Sequence, residues 1–258
     1  MPTFDGNIGS ESFVSGLRVL SFNEIDSTNR LAERLVQKGV IQSPTAITAF
    51  SQLAGRGQMQ TKWHDEPGNS LLLTLVLSPR SLRISEQFHY NMAVALSVCD
   101  TIESHLHTEV RIKWPNDILV RRRKISGILV ENSVRGDSIE RSLVGIGVNL
   151  HQRDFPDEVP NATSFFLEDG DPPDQEALIL EIFERFQVWE YKRLRGKLPE
   201  IKEAYVSKLM GFGQTLSFGS NQGDFIAEFT DITADGKVLL TRDGIPQAFG
   251  LKEVTWKF

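Results

Sequence analysis

The sequence predicts an α+β protein: a mixed β-sheet with flanking helices, followed by a small all-β barrel. Two observations carry this expectation. Up to Met210, apolar β-rich runs alternate with segments whose apolar residues recur at helical spacing. From Gly213 onward the runs are short (QTLSF, DFIAEFTDI, KVLLT, IPQAFG, KEVTW) and are separated by GSNQGD, ADGK and RDG, the turn-rich texture of a small barrel. The expected division is therefore a flexible lead over 1–16, a larger unit over 17–210 and a barrel over 211–258.

In order along the chain, Leu17 to Phe22 alternates and reads as a first strand. Asp26, Ser27 and Thr28 are helix-capping types; Leu31, Leu35 and Val36 follow at helical spacing, and Gly39 is a stop signal. Thr45 to Phe50 is a second strand. The polar, glycine-bearing segment SQLAGRGQMQTKWHDEPGNS has no period, and a loop that long inside a compact domain is usually functional or disordered. Leu71 to Leu77 is a continuous apolar run, as in a strand buried on both faces. Ser85 to His107 reads as a long helix. VRIKWPNDILVRRRKISGILVEN reads as two or three short strands turning at WPND and at RRRK, and Arg141 to Leu150 as another strand. Asp174 to Leu194 and Pro199 to Leu209 read as two helices.

Composition narrows the function classes. The chain of 258 residues is long enough to bury a core without disulfides, and its one cysteine, Cys99 in an apolar stretch, reads as a buried thiol. A reducing, cytoplasmic compartment fits. No apolar run reaches the ~18 residues of a membrane span, and the N-terminus has no signal-peptide pattern. With 28 basic against 34 acidic residues, a formal charge of −6 argues against a dedicated nucleic-acid binder.

Four segments concentrate chemistry. In AGRGQMQTKW, Gly55 and Gly57 let backbone N–H groups approach an anion, Arg56 adds a forked donor, Lys62 a charge and Trp63 a stacking face; an ordinary flexible basic loop reads the same way. KWPND places a cation, an indole, an amide and a carboxylate (Lys113, Trp114, Asn116, Asp117) in five residues, although Pro-Asn-Asp also suits a tight turn. RRRKISGIL is either a nucleic-acid contact or a solvated hairpin tip. If Lys124 opens a strand, alternation puts Lys124 and Ser126 on one face and Ile125 on the other. Gly127 there, and Gly145 and Gly147 in GIGVNL, mark either a surface kept free of side chains or a bulge. There is no HExxH, CxxC or GxSxG, so no protein-bound metal is expected and one hydrolase signature is absent.

In this order, DSTN (26–29), SQLAGRG with KW (51–63), KWPNDI (113–118), RKISGILVE (123–131), GIGVNL and NATS (161–164) resemble the catalytic domain of biotin–protein ligases over about residues 17–210. KWPND followed by KxxGIL is the most specific part. The resemblance implies a sheet related to class II aminoacyl-tRNA synthetases and an SH3-like tail. It implies biotinyl-5′-AMP formation from biotin and ATP with Mg²⁺, then transfer to a lysine of a biotin carboxyl carrier protein. It assigns Arg56, Lys124 and Asp117 to catalysis. Ser27, Thr28, Gln52, Gly55, Arg56, Lys124, Gly127, Gly145 and Gly147 fall to biotin, and Arg56, Trp63, Lys113, Asn116 and Lys124 to the nucleotide. Asp117 would orient the incoming amine or take its proton, unless it only shapes the turn.

Two departures from the family pattern stand out. Gln58, Met59, Gln60 and Thr61 replace the usual Arg and Gly of that loop, which implies looser retention of the adenylate. The 16 residues ahead of the first strand are too few for a helix-turn-helix domain, so no operator binding is expected; a homodimer is compatible. A lipoate–protein ligase of the same superfamily and a non-catalytic biotin sensor are the rival readings.

Overall fold

The computed structural model describes residues 8–58, 61–168 and 171–257. Its larger unit is an eight-stranded sheet: β1 (Ile8–Val14), β2 (Leu17–Ile25), β3 (Thr45–Gln52), β4 (Ser70–Leu77), β5 (Val110–Lys113), β6 (Asp117–Val120), β7 (Arg123–Arg135) and β8 (Ser138–Asn149). The spatial order is β1-β2-β3-β4-β8-β7-β6-β5, and among the described strands β2–β3 pair parallel and the others antiparallel, so the sheet is mixed. The expected flexible lead is corrected over 8–16. Ile8–Val14 is an edge strand paired with β2 through a turn in which Ser15 and Gly16 both have positive φ, the conformation that matches the twist of a tight hairpin.

Helix α1 (Thr28–Gln37) covers one face of the sheet, burying Leu31, Ala32 and Leu35 against Leu20, Phe22, Ile47 and Val76. On the other face lie α2 (Gln87–His105), α4 (Gln175–Leu194) and α5 (Leu198–Lys208); the short α3 (Phe165–Glu168) follows the NATS segment. With both faces covered, every residue of β4 is buried, which is why its sequence reads as one apolar run. Helix α2 lies between the sheet and α4 and is apolar on most of its circumference; Cys99 is buried in it, and burial pushes its thiol up to about 12, so it is chemically inert. Asp174 caps α4 by accepting from the Ala177 N–H.

The C-terminal unit is a five-stranded antiparallel sheet in the order β12-β11-β10-β9-β13. It is built from β9 (Thr215–Ser220), β10 (Gly223–Ile232), β11 (Val238–Arg242), β12 (Ile245–Phe249) and β13 (Val254–Lys257). Its interior residues Phe218, Phe229, Ile232 and Val238 join the same apolar cluster as α2, α4 and α5. The Trp114 indole N–H donates to the Gly236 carbonyl at 2.9 Å across the junction. No helix among the described residues is long and apolar enough to cross a membrane.

Candidate active site

The site lies on the α1 side of the sheet, where the start of α1 meets β3, β4, β6, β7 and β8. The chain leaving β3 is tied to the Asp26 turn: Leu53 N–H donates to Ile25 O and Ala54 N–H to Asp26 O, both at 2.9 Å. This places Gln52 beside the start of α1. Thr28 N–H and Oγ1–H both donate to Gln52 Oε1, at 2.7 and 3.2 Å, which holds the carboxamide by its oxygen and leaves its NH2 end for a ligand. Ser27 and Thr28 are buried.

The floor follows from strand alternation. In β8, Val144, Ile146 and Val148 point into the core, so Gly145 and Gly147 face the site. Gly147 pairs with Leu72 of β4 and with Gly127 of β7. A Cβ on Gly147 would lie 2.6 Å from the Trp63 ring, and one on Gly145 2.5 Å from Asn29 Oδ1, so both positions require glycine for space rather than for φ.

Strand β7 departs from the expected alternation. Lys124 pairs with Leu119 but Ser126 with Ile118, so Ile125 is an extra residue, a β-bulge. Both Ile125 and Ser126 are buried, and Ile125 joins the core. The expectation that Lys124 and Ser126 share a face is thus corrected: the bulge turns Lys124 to the side of Gly127, whose Cβ would lie 3.1 Å from Lys124 Nζ. Lys124 Nζ meets Asp117 Oδ1 at 2.7 Å. The NATS segment clamps the backbone there, with Lys124 N–H to Asn161 O at 2.7 Å and Thr163 N–H to Lys124 O at 2.8 Å. The basic run is a hairpin tip: Arg121 and Arg122 form the turn with positive φ, and Arg123 is held by the buried Glu168 carboxylate at 2.7 Å.

The long loop closes over this floor. Arg56 and Lys62 bridge across it, and Trp63 N–H donates to Gly55 O at 3.1 Å. Met59 and Gln60 lie outside the described residues. Gly57 N–H donates to Thr61 O at 2.7 Å and Thr61 Oγ1 to Gln58 O at 2.8 Å. The Trp63 ring lies against Gly127 and Gly147, with Lys124 Nζ 5.8 Å from a ring centroid. Arg56 Nη2 donates to Glu131 at 3.3 Å, while its Nε is buried without a partner.

These groups enclose a cavity of about 360 Å³. Of the residues the resemblance selects, all but Gly55 and Lys113 line it. Gly55 serves the loop's backbone, and Lys113 lines an adjoining cavity of about 220 Å³ together with Asn149, Phe155 and Val159. Trp63, Asp117 and Lys124 belong to both chambers. Lys113 is half-buried, and burial draws its ammonium below the usual lysine value. The Asn116 side-chain Nδ2 donates to the Ile128 carbonyl. Sequence reasoning missed Asn29 and Glu131, although both stand inside quoted motifs, and missed Leu251 and Lys252, which reach the first cavity from the turn between β12 and β13. Nothing in the barrel's sequence marks that turn.

Residues 21–149 match the model of the Biotin/lipoate A/B protein ligase family. The chain is 30% identical over 245 residues to the bifunctional ligase/repressor BirA of Bacillus spizizenii, covering 93% of this chain and 75% of that protein. It is 29% identical over 220 residues to the biotin–[acetyl-CoA-carboxylase] ligase of Paracoccus denitrificans, covering 83% and 90%. Among solved structures, the biotin protein ligase from Aquifex aeolicus in complex with biotin and ATP shares the fold, with a TM-score of 0.76 at 24% identity over 93% of this chain and 98% of that one. A family match over 21–149 and a 30%-identical relative aligned over most of both chains, on top of a glycine-floored site walled by Arg56, Lys124 and Asp117, establish that the chain belongs to the biotin/lipoate A/B protein ligase family.

Proposed function

We propose that this protein is a biotin–protein ligase that activates biotin with ATP and transfers it to a lysine of the acetyl-CoA carboxylase carrier protein. The observation that carries the reading is the Lys124–Asp117 pair at 2.7 Å, set where the glycine-floored chamber meets the basic one. A flat bicycle with two N–H donors and a carbonyl suits the first chamber, where Ser27, Thr28 and Gln52 supply hydroxyls and an amide and Trp63, lying on Gly127 and Gly147, supplies an apolar face. The second chamber suits the nucleotide, with Lys113 and Lys124 as its cations.

In the first step a biotin carboxylate oxygen attacks the α-phosphorus of ATP. A P–O bond forms, the α–β anhydride bond breaks, and pyrophosphate leaves. Two anions must meet while charge grows on the phosphoryl oxygens, so fixed cations lower the barrier; Arg56 and Lys124 are those cations. Trp63, whose ring covers Gly127 and Gly147, and the loop that carries it would keep water from the anhydride. In the second step the carrier amine attacks the acyl carbon and AMP leaves, with Asp117 accepting the amine proton or orienting the amine. Mg²⁺ brought by the nucleotide would supply a counter-charge to the phosphates, and Asp117, the carboxylate common to the linings of both chambers, would face it.

The test is biotin-dependent ATP–pyrophosphate exchange and labelling of a purified carrier domain, with lipoate as control. Lys124→Ala is expected to lower exchange by about 100-fold or more. Exchange supported by lipoate and not by biotin, or carrier labelling left intact by Lys124→Ala, overturns the reading.

A further inference from the structure

We infer that Glu131 is the positioning residue of the adenylation step: anchored to the sheet through Asn29, it holds the Arg56 guanidinium so that Nε is left for the substrate anion. The inference rests on the reading of this cavity as the site of acyl adenylation.

A chain of hydrogen bonds runs from the sheet to the loop. Thr74 Oγ1 on β4 donates to Asn29 Oδ1 at 2.5 Å. Asn29 Nδ2 on α1 donates to Glu131 Oε2 on β7 at 2.7 Å, and Arg56 Nη2 donates to that same oxygen at 3.3 Å. Thr74 and Asn29 are 0% and 3% exposed, so the chain starts in the rigid interior. Its polarity is set: with the Asn29 amide reversed, its oxygen would face the Glu131 carboxylate with no proton between them. Gly145 belongs to the same device, because a Cβ there would lie 2.5 Å from Asn29 Oδ1.

Arg56 needs such a hold. It sits in a loop outside any regular element, and an arginine side chain loses about 2 kcal/mol of rotamer freedom when fixed. A carboxylate on a strand, itself fixed by a buried amide, imposes that order before substrate arrives. One Nη2 donor is used, and the buried Nε has no partner. An unpaired buried donor is costly, which is the condition expected of a group that waits for an anion. Glu131 does not line the cavity, so it acts through Arg56 and not on the substrate.

The test is a double-mutant cycle in pyrophosphate exchange, with Arg56→Ala, Glu131→Ala and the double variant, alongside melting temperatures. Glu131→Ala is expected to lower kcat/KM by ~10-fold or more and Glu131→Gln, which keeps an acceptor oxygen, by only ~3-fold; in the Arg56→Ala background Glu131→Ala should cost under ~2-fold. Losses that multiply, or that follow a fall in melting temperature, overturn the inference. A second readout is independent of activity: the Arg56 ¹⁵Nε–H NMR signal, assigned by its disappearance in Arg56→Lys. It should move to the position of a free arginine in both Glu131→Ala and Asn29→Ala. An unmoved signal refutes the positioning role, while absent biotin-dependent exchange in the wild-type protein with a moving signal refutes the functional reading alone.

Discussion

At the scale of single residues, Gly145 and Gly147 differ in what stands over them. Above Gly147 is the Trp63 ring, carried by a loop; above Gly145 is Asn29, held at both ends of its amide. Gly147→Ala should therefore raise the KM for biotin by about 10-fold, the equivalent of ~1.4 kcal/mol, with little change in melting temperature, because the loop can yield. Gly145→Ala should melt earlier, by ~1–3 kcal/mol of stability, because a fixed amide cannot yield. Steady-state kinetics and thermal melts on the two variants check the contrast. At this scale the chemically distinctive side chains were legible: Arg56, Lys124 and Asp117 stand out by type and spacing. Asn29 and Glu131 were not, because an amide and a carboxylate gain meaning only from partners 45 and 102 residues away.

At the scale of elements, the DSTN turn and the first turns of α1 are held by Arg34, which forks onto Asp26 at 2.7 and 2.8 Å. That contact lowers the Asp26 carboxyl to about 2. A carboxylate held below its unfolded value stabilises the fold above that unfolded value, near 4. The contribution disappears as pH falls from about 4 through 2. The pair is about a third exposed or more, so screening leaves it worth under ~1 kcal/mol. Asp26→Asn should thus lower the melting temperature by about 2–4 °C or less at pH 7, and the gap should close as pH is lowered toward 3; a gap that stays constant with pH contradicts the account. Most element positions from Leu17 to Leu209 were legible because periodicity and capping residues agree there. The one-turn helix Phe165–Glu168 was not, and neither were two other features. The strand Ile8–Val14 is an edge strand of largely polar residues, whose pairing with β2 is a long-range choice. The bulge at Ile125 leaves no local mark, since Ile-Ser-Gly fits an unbroken strand equally well.

At the scale of the whole molecule, the two sheets share one apolar core, and the boundary near Met210 read from texture separates sequence styles while the packing across it is continuous. The junction is tied at Trp114, whose indole N–H reaches Gly236, and at Lys202 on α5, whose Nζ meets Asp231 Oδ1 on β10 at 2.8 Å. Trp114→Phe removes one of these bonds and leaves a buried carbonyl unpaired, so it should cost ~1–3 kcal/mol in denaturant unfolding and weaken nucleotide binding through Asp117 in the same turn. A loss of stability with unchanged ATP kinetics would separate the two effects. The barrel thus works as a buttress behind the KWPND turn, and its own turn at Leu251 and Lys252 closes the cavity from the other side. In a genetic screen scored by carrier labelling, damage to β10 or β11 would be indistinguishable from damage to the reacting groups, so a map of inactive variants would draw the active site larger than the chemistry that occupies it.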